Sequence, residues 1–271
     1  MNKIFLQTRF ILLAILLISS MTSCLLDKNA TPNPNDKSFE GKMEIWELYT
    51  IGEALGTGKP GPILRLNNKL RENSKYKDSG FQDTIIANSD TTANEFNPLF
   101  SKMELKEGHT ISDMNAALTS YVKQKDTAII MEMLHSEAAK EILPQRMHFA
   151  WSNEATVRED SIKYFILYAL KAKDEQRKAE LSNPQVKAAF SISNPNGAGF
   201  GVSVEFDEKG TEIWSKMTAA NIDKCLAICL DGRVMSAPKV MQEIKGGKTV
   251  ISGDFSASEA QALAKILHPG K

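Results

Sequence analysis

The carboxyl-terminal stretch, residues 200–267, constrains the fold more than any other part of the chain, because its polarity pattern switches period several times in succession. Phe200 to Phe206 alternates, with Val202, Val204 and Phe206 on one side, the period-two signature of a half-buried strand. Asp207 then stands as a helix cap before a run whose apolar stripe reads Ile213, Met217 and Ala220. Residues 224–230 read as a buried strand, apolar throughout after Lys224. It stops at Asp231-Gly232, a pair that tolerates positive φ at both turn positions and signals a tight hairpin. Short strands are expected around Val234 and Met235 and at residues 249–252. Ser256 and Glu259 form a capping-box pattern ahead of a helix with Leu263, Ala264 and Leu267 inward. Strand, helix, strands and helix in this order predict a compact α+β unit.

Upstream, residues 43–51 alternate around Ile45, Trp46, Leu48 and Tyr49 and read as a strand, and residues 62–72 read as helical. Residues 73–94 are polar and rich in Ser, Asp and Thr, as in a long loop. From 111 to 143 the spacing predicts helix, first through Met114, Leu118 and Val122, then through Ile130, Met133, Leu134, Ala138 and Ile142, with Pro144 as the stop. Strands are expected at 147–151, at 164–172 and at 186–192. The second of these is apolar on both faces, which implies burial on both, or a strand under a helix. The fold class expected for the whole is α+β, with mixed and antiparallel sheets and helices packed on one face.

At the other end, Lys3 and Arg9 precede an apolar run, residues 10–18, followed by Ser19, Ser20, Met21, Thr22, Ser23 and Cys24. A basic start, an apolar segment too short for a permanent span and small residues before a cysteine read as a bacterial lipoprotein export signal. Cys24 is then the lipid-attachment residue, its thiol receiving the diacylglycerol. The competing reading is an ordinary secretory signal or an uncleaved anchor in which Cys24 is incidental. Residues 1–23 are the expected signal peptide, and residues 24–40, polar and turn-rich, the expected flexible tether. The rest is expected in a bacterial cell envelope, lipid-anchored, facing the periplasm or the cell surface. Leu25 and Leu26 show no inner-membrane retention signal, which favours the outer membrane.

The formal charge is +0, and Lys and Arg form no cluster of the kind phosphate neutralisation needs, so nucleic acid is not an expected partner. Cys225 and Cys229 lie four residues apart on one strand, roughly 13 Å by strand rise and beyond disulfide reach, and are expected as buried thiols. His109, His135, His148 and His268 have no metal-ligand spacing. The segment Gly56-Thr57-Gly58-Lys59-Pro60-Gly61 has neither the leading glycine nor the Ser/Thr of a phosphate loop, and reads as a turn. No nucleophile elbow or HExxH pattern occurs. No catalytic residue, metal or cofactor is therefore expected, and the protein is expected not to be an enzyme.

Residues 202–218, 227–238 and 251–267, with their spacing, resemble the head of the first periplasmic domain of the SecD and SecDF export translocase accessory proteins. Asn97-Pro98-Leu99-Phe100, Asp126-Thr127-Ala128, Ile142-Leu143-Pro144 before Phe149-Ala150-Trp151, and Leu167-Tyr168-Ala169-Leu170-Lys171 resemble segments of the same domain in SecDF proteins of Bacteroidetes type. The resemblance implies a base-like α+β region over 41–182 and a head-like subdomain over 183–271. It also implies contact with exported polypeptides or translocase components. SecDF couples proton flow through intramembrane charged residues to domain movement. This sequence shows no such helices, so proton coupling is not carried over. The turn-and-strand segment Arg233, Val234, Met235, Ser236 and Pro238 is the candidate partner contact, with Met and Val offering soft apolar contact; the competing and favoured reading is a hairpin and strand edge that the fold simply requires. The alternative is a small-ligand-binding or structural envelope lipoprotein that reuses the fold.

Overall fold

The computed structural model describes residues 40–76, 97–105, 114–159, 161–176, 178–194 and 198–268. The leader, Cys24, nearly all of the 24–40 tether and residues 77–94 of the polar loop lie outside the described residues.

The amino-terminal half begins with β1 (Met43–Leu48) and two short helices, α1 (Ile51–Leu55) and α2 (Pro62–Leu70). Thr50 starts α1 through a reciprocal capping box with Glu53, and Pro62 fits the first turn of α2, where its missing N–H costs nothing. Next come β2 (Glu104–Leu105), β3 (Thr119–Lys123), α3 (Thr127–Leu134) and α4 (Glu137–Ile142). The expected helix over 111–122 is not formed among the described residues. Residues 119–123 are a strand, and helix begins only at Thr127. Leu118, Ser120 and Val122 are all buried, so the spacing of four that suggested a helix is two strand repeats along one face. The half closes with β4 (Met147–Trp151), β5 (Thr156–Val157) and β6 (Lys163–Lys171).

After β7 (Leu181–Ser182) the carboxyl-terminal half runs β8 (Val186–Ser193), β9 (Phe200–Phe206), α5 (Glu208–Ala220), β10 (Leu226–Leu230), β11 (Arg233–Ser236), β12 (Lys248–Phe255) and α6 (Ala257–Leu267). Asp207 caps α5 by accepting from the Gly210 amide, and Ser256 with Glu259 forms the capping box of α6. The buried stripe of α5 is Gly210, Trp214, Met217 and Thr218, rotated from the expected one, and Ala220 is exposed. Trp214 sets that rotation. Its ring packs on Phe206 with centroids 6.0 Å apart, and its indole N–H donates to the Lys248 carbonyl at 3.2 Å. Asp231 (φ 49°) and Gly232 (φ 77°) make the expected hairpin turn.

Two sheets result. In the large one, β6 is the central strand. It pairs antiparallel with β4 and β5 along one edge, and with β3 and the end of β1 along the other. The other edge of β1 pairs with β10, which pairs with β11. Ser152, just past β4, forms a parallel bridge with Val234 of β11, and the Asn153 amide donates to the Val234 carbonyl at 2.9 Å. That bridge joins the two ends, so β11, β10, β1, β6 and β4 close into a small ring. Inside it lie Trp46, Leu48, Ala150, Tyr168, Leu170, Ala227, Cys229 and Val234, a cluster that contains no helical residue. Period two explains this. In β10, Ala227 and Cys229 point into the ring, while Leu226, Ile228 and Leu230 point to the opposite face.

Helices cover that outer face, as expected for this fold class. Helices α1 to α4 pack with Phe165, Leu167 and Ala169 of β6 into one core, while α5 and α6 pack with Ile228 and Leu230 into another. The small sheet, ordered β12-β9-β8, completes the second core with Val202, Val204, Phe206 and Ile251.

Residues 40–43, at the start of the described chain, are held from several sides. The Asp231 carboxylate accepts the amides of Glu40 and Lys42 at 2.8 Å each and that of Gly41 at 3.3 Å. The Asn183 side chain donates to the Gly41 carbonyl at 2.6 Å and accepts the Met43 amide. Gly41 (φ 88°) lies so close to Ile266 that a Cβ there would fall 2.0 Å from Ile266 Cγ2.

Candidate functional site

The segment expected to meet a partner is mostly built into the ring. Val234 is 2% exposed and faces the interior, so it is not available for contact. Met235 packs against the carboxyl-terminal core, and Arg233 is half-buried. Ser236 Oγ is buried without a hydrogen-bond partner. Pro238 is exposed, and its carbonyl accepts the Leu226 amide at 3.2 Å. The physical reason is the Ser152–Val234 bridge, which covers the outer edge of β11.

The open edge is elsewhere. Strand β8 ends the small sheet. One of its edges pairs with β9, and among the described residues no strand pairs with the other. Natural sheets blunt such edges with charge, proline or bulges. Here the amino-terminal part of β8 is blunted, with a register shift between Val186 and Ala188 and an exposed Lys187. Residues 188–193 (Ala188, Ala189, Phe190, Ser191, Ile192, Ser193) carry no charge and no proline. Phe190 is 50% exposed.

This edge borders a groove of about 470 Å³ between β8 and α6, lined by Ala189, Phe190, Ser191, Gln261, Ala264, Lys265 and His268. Ala189 and Ala264 keep its floor low, because neither side chain extends past Cβ. On the opposite face of the sheet Phe190, Ser203 and Val250 stand in register, next to an ion pair of Lys248 and Glu205 at 2.5 Å. The Lys248 hydrogen bond outweighs the slight desolvation of Glu205 and holds its carboxyl below the usual range. Apolar surface, unpaired backbone and a shallow trough in one place suit an extended chain better than a compact molecule. The signal was present in the sequence as an uncharged, strand-forming run, although the fold is needed to show that it lies at an edge.

Two buried titratable groups, Cys229 and Tyr168, lie inside the ring. Burial drives the Cys229 thiol far above its ordinary value, with Glu44 adding to the shift, and burial pushes Tyr168 to about 12. Neither Cys225 nor Cys229 is in a disulfide. Among the described residues no group of His, Cys, Asp and Glu is arranged to hold a metal ion, and no helix is long and apolar enough to cross a membrane.

Fold and site together define an α+β module with an uncovered strand edge. Residues 168–271 match the sequence profile described as SecDF, P1 head subdomain. The chain is 46% identical to the protein translocase subunit SecD of Syntrophobacter fumaroxidans over 69 residues, 26% of this chain and 13% of that protein. It is 31% identical to SecD of Leptotrichia buccalis over 153 residues, 48% of this chain and 38% of that one. With SecD of Mycobacterium tuberculosis the identity is 38% over 93 residues, 33% of this chain and 16% of that protein. The chain thus spans well under half of the length of these relatives. Among solved structures, SecDF in its super-membrane-facing form is similar over 86% of this chain and 19% of that one, at 19% identity and a TM-score of 0.37. A second, described as a membrane component SecDF that enhances protein export, is similar over 84% of this chain and 94% of that one, at 19% identity and a TM-score of 0.33. By sequence, the carboxyl-terminal part of the chain, residues 168–271, is thus similar to the P1 head subdomain of SecDF.

Proposed function

We propose that this is a cell-envelope protein, lipid-anchored through Cys24 and more at home in the outer than the inner membrane, that presents a SecDF-type periplasmic domain for non-catalytic contact with exported polypeptides or translocase components. It works without proton coupling. Residues 41–182 act as the base-like part and 183–271 as the head-like part. The observation that carries this reading is that the uncharged edge of β8 lies within the segment matching the SecDF head. An extended chain adding to that edge gains main-chain hydrogen bonds that do not depend on sequence, which suits contact with many different polypeptides. Pro238 and Arg233 stay as secondary contacts at the rim of the ring.

A photo-crosslinking residue at position 190, expressed at native level in cells, tests the contact, with the exposed position 212 on the far side of α5 as control. Secretory chains captured at 190 and not at 212 are expected. Capture of neither secretory chains nor translocase components at 190 would overturn the proposal. Fractionation of a Cys24→Ala variant checks the anchor independently: the protein should leave the membrane fraction.

A further inference from the structure

We infer that the β8 edge reads polarity as well as shape, and prefers an extended segment whose apolar run is followed, on its carboxyl side, by acidic residues. This rests on the strand-edge reading above and adds a direction and a charge to it.

The direction follows from where α6 lies. Ile266, in its last turn, packs on Gly41, whose carbonyl is held by Asn183, three residues ahead of β8. The end of α6 therefore sits beside the start of β8, and the two run in opposite directions. The charge follows from the same placement. Lys265 and His268 line the groove at this end, no acidic side chain among the described residues lines it, and Lys187 stands exposed at the start of the strand. On the opposite face Glu205 is already engaged by Lys248. Toward the far end the lining becomes Ser191 and Gln261, with Ser193 beyond. The groove is basic at one end and neutral at the other.

A strand adding antiparallel to β8, the commoner pairing, brings its carboxyl-terminal residues to the basic end. Its alternate side chains fall into the trough over Ala189 and Ala264, or onto the sheet face beside Phe190 and Ile192. Both positions are apolar. The occupant is thus a peptide of about six residues with β-branched or aromatic side chains and an Asp or Glu at its carboxyl end.

Fluorescence polarisation with the full chain tests this, using three labelled, end-blocked peptides: Thr-Val-Thr-Val-Thr-Val-Asp-Asp, the same ending in Lys-Lys, and the same with Asp-Asp moved to the amino end. The first should bind about fivefold more tightly than either of the others at low salt, an advantage that shrinks at high salt. Lys265→Glu, at an exposed position, should abolish or invert the preference, and Lys187→Glu should weaken it. Equal binding of the three peptides overturns the inference while leaving the strand-edge reading intact. Binding by none of them, or binding that survives N-methylation of the peptide backbone, overturns the strand-edge reading and this inference with it.

Discussion

Replacing Asp231 by glycine isolates the clasp on residues 40–42 from the hairpin turn that the same residue forms. Glycine keeps φ near 49° without strain, so the turn survives and only the carboxylate is lost. Two hydrogen bonds of 2.8 Å and a weaker one at 3.3 Å disappear. Bonds to a charged acceptor are worth up to about 3 kcal/mol when buried, but this carboxylate is partly in water, so the expected loss is about 1–2 kcal/mol. For a domain of this size that lowers Tm by about 3–6 °C. Asp231→Ala should lose roughly 1 kcal/mol more, because alanine resists the left-handed conformation. Urea unfolding followed by tryptophan fluorescence reads all parts of the fold, since Trp46, Trp151 and Trp214 lie in three different clusters. Hydrogen exchange of the Glu40 and Lys42 amides reads the clasp directly. A glycine variant as stable as the parent, with those amides equally protected, would refute the reasoning.

Cys229, fully buried inside the ring with its thiol held protonated, should resist alkylation in the native protein and react only at the rate of unfolding; prompt labelling in buffer would contradict the closed ring. Cys229→Ser should cost about 1–3 kcal/mol in urea unfolding, by placing a hydroxyl where no partner is provided. Burial pulls Glu53 upward, but the Lys171 ammonium at 2.7 Å and the Thr50 amide outweigh it and leave the carboxyl below its ordinary value. Its stabilising contribution is therefore present above the unfolded carboxylate range near pH 4.3 and is lost as pH falls through the lower folded value, so Glu53→Gln should flatten the acid limb of a stability-versus-pH curve. Gly247→Ala places a Cβ 2.1 Å from Thr211 Oγ1 at a φ of 61°, and should lower stability by about 2 kcal/mol or more in the same urea assay.

Much of the carboxyl-terminal half was legible because its signals are local. The capping boxes, the Asp231-Gly232 turn and the alternation of β9 are each decided within a few residues. Spacing failed where the two periods coincide. Leu118 and Val122 are four apart, which suits one face of a helix and equally one face of a strand, and the β-forming run Thr119-Ser120-Tyr121-Val122 was the better guide. The stripe of α5 was misjudged by one position because Trp214 is drawn inward by Phe206 of the preceding strand and by the Lys248 carbonyl, contacts outside the helix that its own periodicity does not carry. Ring closure depends on Trp46 meeting Ala227 and Ser152 meeting Val234, and no local pattern carries such pairs. The burial of Val234 within the candidate partner segment was illegible for the same reason: the bridge to Ser152 comes from a distant part of the sequence.

Strand β1 carries one further consequence, for the order in which the protein can be built. It gives Met43 and Ile45 to one core and Trp46 and Leu48 to the ring, so it belongs to both halves at once. During synthesis it emerges long before its hydrogen-bonding mate β10, which follows only after β2 to β9 have been made. Until then an apolar ribbon must wait with one side unsatisfied, a slow, long-range step of the kind that invites chaperone help. A fragment taken from residue 183 onward would arrive without that ribbon, and transplanting the head into another protein would require carrying residues 40–48 along with it.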